Sequence, residues 1–483
     1  MQLIFEKSRP GRRGFSLPES DLPQAKALPE KYCRKRVAEL PEVSELDLVR
    51  HFSNLSRLNY SVDTNFYPLG SCTMKYNPKF TEKIAALDGF ADLHPLLPQL
   101  SGDGVLAQGS LEVLYNTERL LSEITGMAEF TCQPLAGAHG ELTGVMLIAA
   151  YHKSQGKPRK YVIVPDSSHG TNPASAAIAG YEVVVIPTDK NGALDIEAYK
   201  KALSDETAAV MLTCPDTLGL FNPKIKEIAD LAHGVGALMY YDGANLNAIL
   251  GKCRPGDIGF DVVHLNLHKT FATPHGGGGP GAGPVGVCAK LADFLPISRV
   301  VKRDDGTFAL DYQKRKTIGY IAPFYGNFTV ILKAYAYILA LGKSGLIAAS
   351  ENAVLSANYC LARLKNYYKA AYDRICMHEC VLSAVLQLEE GVHALDIAKY
   401  LIDRGFHPPT IYFPLIVKEA MMIEPTETES KETLDAFIEV MIEAAKLSKT
   451  NPEILHLAPV NMPIKRLDET RAAREPNLRW KLK

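Results

Sequence analysis

The chain is 483 residues long, more than one ordinary hydrophobic core holds, so two or three domains are expected. Apolar residues make up 47%, charged residues 22%, and the net charge is −1. That balance is ordinary for a globular protein and supplies no field to hold nucleic acid or an anionic membrane surface. No apolar run reaches the length of about 18 residues that a membrane span needs, and the basic N-terminus is followed by no apolar stretch of a secretory kind. Nine cysteines are scattered without a CxxC pair, which predicts a reduced, cytoplasmic setting.

Residues 1–100 are rich in proline and polar side chains, with a short helical piece at Glu45 to Leu55, and read as an arm laid on another surface. Residues 101–330 read as a large α/β domain. Its apolar, β-rich runs are Tyr161 to Val164, Glu182 to Ile186, Ala208 to Leu212, Ala237 to Tyr241, Val262 to Leu265 and Val285 to Cys288, most of them separated by helical segments. Continuous apolar strands alternating with helices predict a mostly parallel sheet covered on both faces, with ligands at the C-terminal ends of the strands. Residues 331–483 read as a connecting helix followed by a smaller α/β domain from near Ile375. Within it, Cys376-Met-His-Glu-Cys380 is the nearest approach to a metal cluster, and it is read as a buried strand, with no metal expected.

Four short segments stand at predicted strand ends or at a helix start. Leu135-Ala-Gly-Ala-His-Gly-Glu-Leu-Thr-Gly144 runs into an apolar helix; small residues there let backbone N–H groups approach a phosphate, with the helix dipole favouring the dianion. Ser167-Ser-His-Gly-Thr-Asn-Pro173 places His169 where it can lie flat on an aromatic ring, or simply sit as a satisfied loop histidine. Asp242 ends a strand, where a carboxylate can pair with a protonated pyridine nitrogen or cap the helical turn beginning at Ala244. Lys269, in Asn266-Leu-His-Lys-Thr-Phe271, follows a buried strand, a position that penalises an ammonium but suits an amine condensed with an aldehyde; a lysine snorkelling from a strand end is the plainer alternative. Each segment is a weak signal alone. The order phosphate loop, ring-stacking histidine, strand-end aspartate and lysine is that of a pyridoxal 5'-phosphate (PLP) enzyme of the aspartate-aminotransferase-like fold, fold type I.

Longer strings carry a resemblance. Tyr67-Pro-Leu-Gly-Ser-Cys-Thr-Met-Lys75, the Asn266–Phe271 segment with its glycine run to Pro280, His407-Pro-Pro-Thr-Ile-Tyr-Phe413, Glu424 to Ser430 and Arg466 to Arg474 resemble glycine dehydrogenase (decarboxylating), the P-protein of the glycine cleavage system, and most closely its PLP-carrying subunit 2. The resemblance implies a seven-stranded, mostly parallel sheet with a smaller C-terminal domain and an N-terminal arm. It implies Lys269 as the Schiff-base lysine, His169 as the ring-stacking residue and Asp242 as the partner of the pyridine nitrogen. Ala136, Gly137 and Ala138 would lie near the phosphate, with His268 and Ala244 beside the cofactor. His139, Cys214 and Asp216 depart from residues frequent in the family. The implied reaction is decarboxylation of glycine with transfer of the aminomethyl group to the lipoyl arm of the H-protein, a transient partner, in a heterotetramer with two copies of a separate subunit 1. Basic residues of the Thr73–Lys75 and Lys465–Arg474 segments are candidates to hold the glycine carboxylate, and Cys72 is expected close to the site. The strand pattern and the His-Lys pair alone also admit a cysteine desulfurase, an aminotransferase or an amino-acid decarboxylase; a non-catalytic partner subunit would be expected to lack Lys269 or Asp242.

Overall fold

A computed structural model describes the chain apart from residues 1, 24–25, 37, 101, 277–279, 314–315 and 480–483. The glycines at 277–279, part of the run after Lys269, therefore lie outside the described residues. The chain divides into two compact units, Met1–Ser61 and Val62–Lys483. In the first, the helix Glu45–Ser56 is capped by Ser44, whose hydroxyl accepts from the Asp47 N–H at 3.1 Å. Arg9 N–H donates to the Glu42 carbonyl at 2.9 Å and Arg12 pairs with Asp47 at 3.1 Å. Its apolar side chains are mostly on the outside: Phe15, Leu17, Leu22, Leu28 and Tyr32 are 69–79% exposed.

The second unit begins well before residue 100. Phe66 enters the hydrophobic core of the C-terminal part, Leu69 bridges to Ile423, and Glu82 on the helix Lys79–Ala85 accepts from Lys333 at 2.8 Å. Residues 62–100 are thus tied by packing to the body of the second unit, and only the first 61 residues form a unit apart.

The large sheet contains β1 (Glu129–Thr131), β2 (Tyr161–Pro165), β3 (Glu182–Ile186), β4 (Thr207–Thr213), β5 (Leu238–Gly243), β6 (Val262–Leu265) and β7 (Val285–Val287). Their order is β1-β7-β6-β5-β4-β2-β3, with only the pairings to β7 antiparallel. The strands are apolar on both faces because both are covered. Ile163, Val210, Met239, Tyr241 and Val263 enter one core, while Val162, Ala209, Leu238, Tyr240 and Val262 enter the other. The helix Gly137–Ser154 covers the second face through Val145, Leu147 and Ile148, and Ile225–Gly234 covers the first through Ile228, Ala229 and Ala232. The three-residue β1 has no counterpart among the predicted runs.

A hairpin of β8 (Arg299–Lys302) and β9 (Phe308–Asp311) precedes the connecting helix Phe328–Leu364, which turns at Gly342 (φ 58°, ψ −170°). This helix is long and apolar enough to cross a membrane by composition, yet Val330, Ile331, Ala334 and Ile338 pack into the main core. The smaller sheet has the order β10-β11-β13-β12, all antiparallel, from β10 (Lys369–Ala370), β11 (Cys380–Ser383), β12 (Thr410–Ile411) and β13 (Ala420–Ile423). The expected strand at Cys376–Cys380 is corrected by this arrangement: pairing starts only at Cys380, opposite Ile423, and residues 376–379 form a buried non-strand approach.

Lys75 also takes a place the sequence did not suggest. It is 1% exposed, pairs with Glu427 at 2.6 Å and donates to the Tyr337 hydroxyl at 3.3 Å. Such a pair contributes little net stability, but removing one partner strands the other charge in the interior. Lys75→Met should therefore lower stability by about 3–5 kcal/mol, and adding Glu427→Leu should restore much of it. Thermal unfolding of the single and double variants checks this; equal losses in both would show that the pair is not coupled.

Candidate active site

The strand ends of the large sheet and the approach to β11 enclose a cavity of about 220 Å³. Of the residues singled out in the sequence, Gly137, Ala138, His169, Asp242, Ala244, His268 and Lys269 all line it. Ala136 does not, but caps the helix Gly137–Ser154 just behind, with extended backbone (φ −158°, ψ 168°). The helix can start this close to β6 because position 137 is glycine: a Cβ there would stand 2.4 Å from Asn266 Oδ1. Its first N–H groups have no carbonyl one turn earlier to bond, and Gly137 and Ala138 line the cavity.

Asp242 is buried at the end of β5 and holds the next turn by accepting from the Ala244 N–H at 3.1 Å. The aspartate thus does serve as a local cap while also lining the cavity. Directly opposite it in the register stands His264 of β6, fully buried, with Nε2 3.4 Å from Asp242 Oδ1 and Nδ1 2.8 Å from the Tyr240 hydroxyl. His169 lies on the exposed side, with Nδ1 2.8 Å from the Thr171 hydroxyl, which donates to Glu141 Oε1 at 2.7 Å. Burial and the Asp242 charge push Glu141 up to about 8. Lys269 follows β6 in a turn closed by its own N–H to the Asn266 carbonyl at 3.1 Å. Its positive charge is felt by Glu141, His169, His264, His268 and Cys72, which places Cys72 near the site although it does not line the cavity.

Several further lining groups were assigned no role in the sequence, although Thr213 to Thr217 stand at a predicted strand end there. Glu141, one turn into the helix, looks like any helical carboxylate. Thr213, Asp216 and Thr217 follow β4; Asp216 is turned back on its own loop, accepting from the Leu218 and Leu220 N–H groups at 3.0 Å each, and burial raises it to about 7. His378 and Glu379 arrive from the smaller domain, and Ser71 from the loop before Lys75. The Ser71 N–H donates to Glu379 Oε2 at 2.9 Å, while Glu424 accepts from Thr73 N–H, Thr73 Oγ1 and Asn245 Nδ2 at 2.7–2.9 Å. Ligand atoms of His378, Glu379 and Glu424 lie within 4.8 Å of one another, but Glu424 already has both oxygens committed to these donors. The basic candidates for a carboxylate ligand lie elsewhere: Lys75 is sealed with Glu427, Arg466 pairs with Asp396 at 2.7 Å, and Arg471 pairs with Glu475.

Over 482 residues the chain is 58% identical to the "Probable glycine dehydrogenase (decarboxylating) subunit 2" of Caldanaerobacter subterraneus subsp. tengcongensis, covering 99% of this chain and 98% of the relative. The chain belongs to the glycine dehydrogenase (decarboxylating) subunit 2 family. The relative of the same description from Bacillus velezensis is 56% identical, covering 99% and 97%. Residues 349–454 match the glycine dehydrogenase C-terminal domain family, and residues 140–278 match the class-V aminotransferases. The fold resembles a crystal structure of glycine decarboxylase (P-protein) of the glycine cleavage system in inhibitor-bound form, with a TM-score of 0.72 at 21% identity, covering 86% of this chain and 93% of that one. A cysteine desulfurase from Thermococcus onnurineus NA1 shares the architecture at a TM-score of 0.60 and 16% identity, covering 79% of this chain and 95% of that one. Membership of the glycine dehydrogenase family makes the chain an enzyme subunit of fold type I, with the seven-stranded sheet and C-terminal domain expected of it.

In this family member two of the cavity histidines, His268 and His378, are pushed well below the usual histidine range. Burial, then the neighbouring His275, push His268 down to about 3; burial and the Lys269 charge push His378 to about 3 as well. Both rings should therefore stay neutral at about pH 5, where an ordinary histidine is protonated. Nitrogen-15 spectra of histidine-labelled protein check this. Imidazolium signals assigned to either residue at that pH would contradict the burial.

Proposed function

We propose that this chain holds PLP through Lys269 and decarboxylates glycine, passing the aminomethyl group to the lipoyl arm of a carrier H-protein. The observation that carries the reading is the convergence of Lys269, Asp242, His169 and the helix start at Gly137–Ala138 on one cavity. The donor set fits the group. An amine for the aldehyde, a buried carboxylate for the ring nitrogen and a helix start for the phosphate stand around one space. Asn266 Oδ1, Thr213 Oγ1 and Glu141 Oε2 are buried there without a hydrogen-bond partner, as expected of polar groups waiting for a ligand. When bound, PLP supplies the electron sink for the pair released as CO2 leaves.

The chain's own residues supply orientation and electrostatics. Asp242, fixed by Ala244 N–H and flanked by His264, would stand as the carboxylate partner of the ring nitrogen. Helix N–H groups at Gly137 and Ala138 would hold the phosphate, and His169, on the same cavity, would pack on the ring. Lys269→Ala should fold yet carry no pyridoxyl group after borohydride reduction, and peptide mapping of the parent protein should find that group on Lys269. Asp242→Asn should retain PLP and slow glycine-dependent exchange of labelled bicarbonate by about 10²-fold, ~3 kcal/mol of transition-state stabilisation. A label on a different lysine refutes the first role, and an unchanged exchange rate reduces Asp242 to a cap.

A second subunit belongs to the same reading. The relatives' description as subunit 2 and the exposed apolar side chains of Met1–Ser61 both support an obligate assembly with a homologous subunit 1, two copies of each. The chain purified alone should aggregate or lack exchange activity, and coexpression with subunit 1 should restore it. Full activity from a well-behaved homodimer would refute this.

A further inference from the structure

The charge inventory of the cavity is unusual for a site that must seat an amino-acid carboxylate. Among the described lining residues the only lysine is Lys269, which the proposed function commits to the cofactor, and arginine is absent. Lys75, Arg466 and Arg471 are paired elsewhere. What the cavity does offer is His378, 2% exposed, with neither ring nitrogen hydrogen-bonded. A neutral imidazole carries one N–H, so a buried donor here stands without an acceptor, at a cost of roughly 1–3 kcal/mol unless a ligand supplies one. Next to it Glu379, 1% exposed, accepts from Ser71 N–H through Oε2, while its Oε1 lies 3.8 Å from His378 Nε2.

We propose that His378 and Glu379 form the seat of the substrate carboxylate, holding it by uncharged hydrogen-bond donors. The inference rests on the PLP-dependent glycine reaction proposed above. Burial and the neighbouring Glu424 raise the Glu379 carboxyl, which favours its protonated form, and in that form it can donate. The chemistry favours such a seat. A carboxylate loses its charge as CO2 departs, so any interaction with that charge is weaker in the transition state than in the ground state. Charge-assisted bonds from an arginine are roughly twice as strong as neutral ones and would stabilise the wrong state more. Neutral donors orient the carboxylate while surrendering less on the way to the transition state.

The test compares glycine with methylamine, which shares the amine and lacks the carboxylate. Binding of each to the PLP-loaded enzyme, complemented with subunit 1, is read by calorimetry and by the change in cofactor absorbance. His378→Leu should weaken glycine by about tenfold or more, ~1.4 kcal/mol, and leave methylamine unchanged. His378→Gln, which keeps an N–H, should retain most of the preference for glycine. Glu379→Met provides an independent arm should His378→Leu fail to fold, with the same selective loss expected. Equal weakening of both ligands would mark a structural role and overturn the proposal, as would unchanged binding of both. If the parent enzyme itself binds PLP but not glycine, the functional reading fails, and this inference with it.

Discussion

The parallel pairing of β5 with β6 is the constraint on which the cavity depends. Its register sets Tyr240 against Val262, Asp242 against His264 and Gly243 against Leu265. Side chains alternate faces along a strand, so a slip of one residue would turn Asp242 and His264 into the opposite core and leave Tyr241 and Leu265 at the cavity. Apolar side chains on both faces forbid that slip, because each strand feeds two cores at once. The chemistry at the strand ends is therefore positioned by the hydrophobic packing of residues that never touch it. Asn266 and Lys269 inherit their places from the same register, since only a tight turn separates them from β6.

A low-dielectric enclosure then decides the charge state of what gathers there. Four carboxylates, of Glu141, Asp242, Glu379 and Glu424, stand near one lysine, and all four are buried. Burial raises Glu141, Glu379 and Glu424; the neighbouring Asp242 adds to the rise of Glu141 and Glu424 to that of Glu379, while the donors Thr73 and Asn245 oppose it at Glu424. The same burial pushes His268, His275 and His378 down, to about 3, 4 and 3. The result is a set of uncharged hydrogen-bonding groups around few full charges. Such surroundings strengthen any charge–charge interaction made inside them.

The parts of this arrangement legible in the sequence are those carried by contiguous signals. Val262–Leu265 followed by polar Asn266 to Thr270 reads as a strand end because the apolar run stops there, and Asp242 reads the same way after Leu238–Tyr241. The short β1 carries no such signal: Glu129–Thr131 has three residues and is specified by its antiparallel partner β7, a tertiary effect. Glu141 is hidden because an acidic residue near a helix start is ordinary. His378 and Glu379 sit more than a hundred residues beyond Lys269, and the apolar and sulfur-bearing neighbours that make residues 376–380 look like a strand are the same ones that bury the approach. Lys75 misleads in the opposite direction. A basic residue in a string resembling an active-site segment invites a ligand role, while its partner Glu427 lies 352 positions away.

Those distant contacts join the two halves of the second unit at the cavity itself. The loop carrying Cys72 places Ser71 and Thr73 at φ 50° and 53°, a left-handed conformation that costs a non-glycine residue roughly 1–2 kcal/mol. It is held there by Glu379 and Glu424, which take the N–H groups of Ser71 and Thr73. The two glutamates are brought together because β11 and β13 pair Cys380 with Ile423, leaving the preceding and following residues opposed just past the ladder. Asn245, from the end of β5, closes the set by donating to Glu424. The smaller sheet thus fixes a strained loop against the large one through buried carboxyl groups, and one of those groups, Glu379, lines the cavity. A site so built cannot be assigned to either domain. Its geometry exists only while both sheets, and the loop strained between them, hold their places.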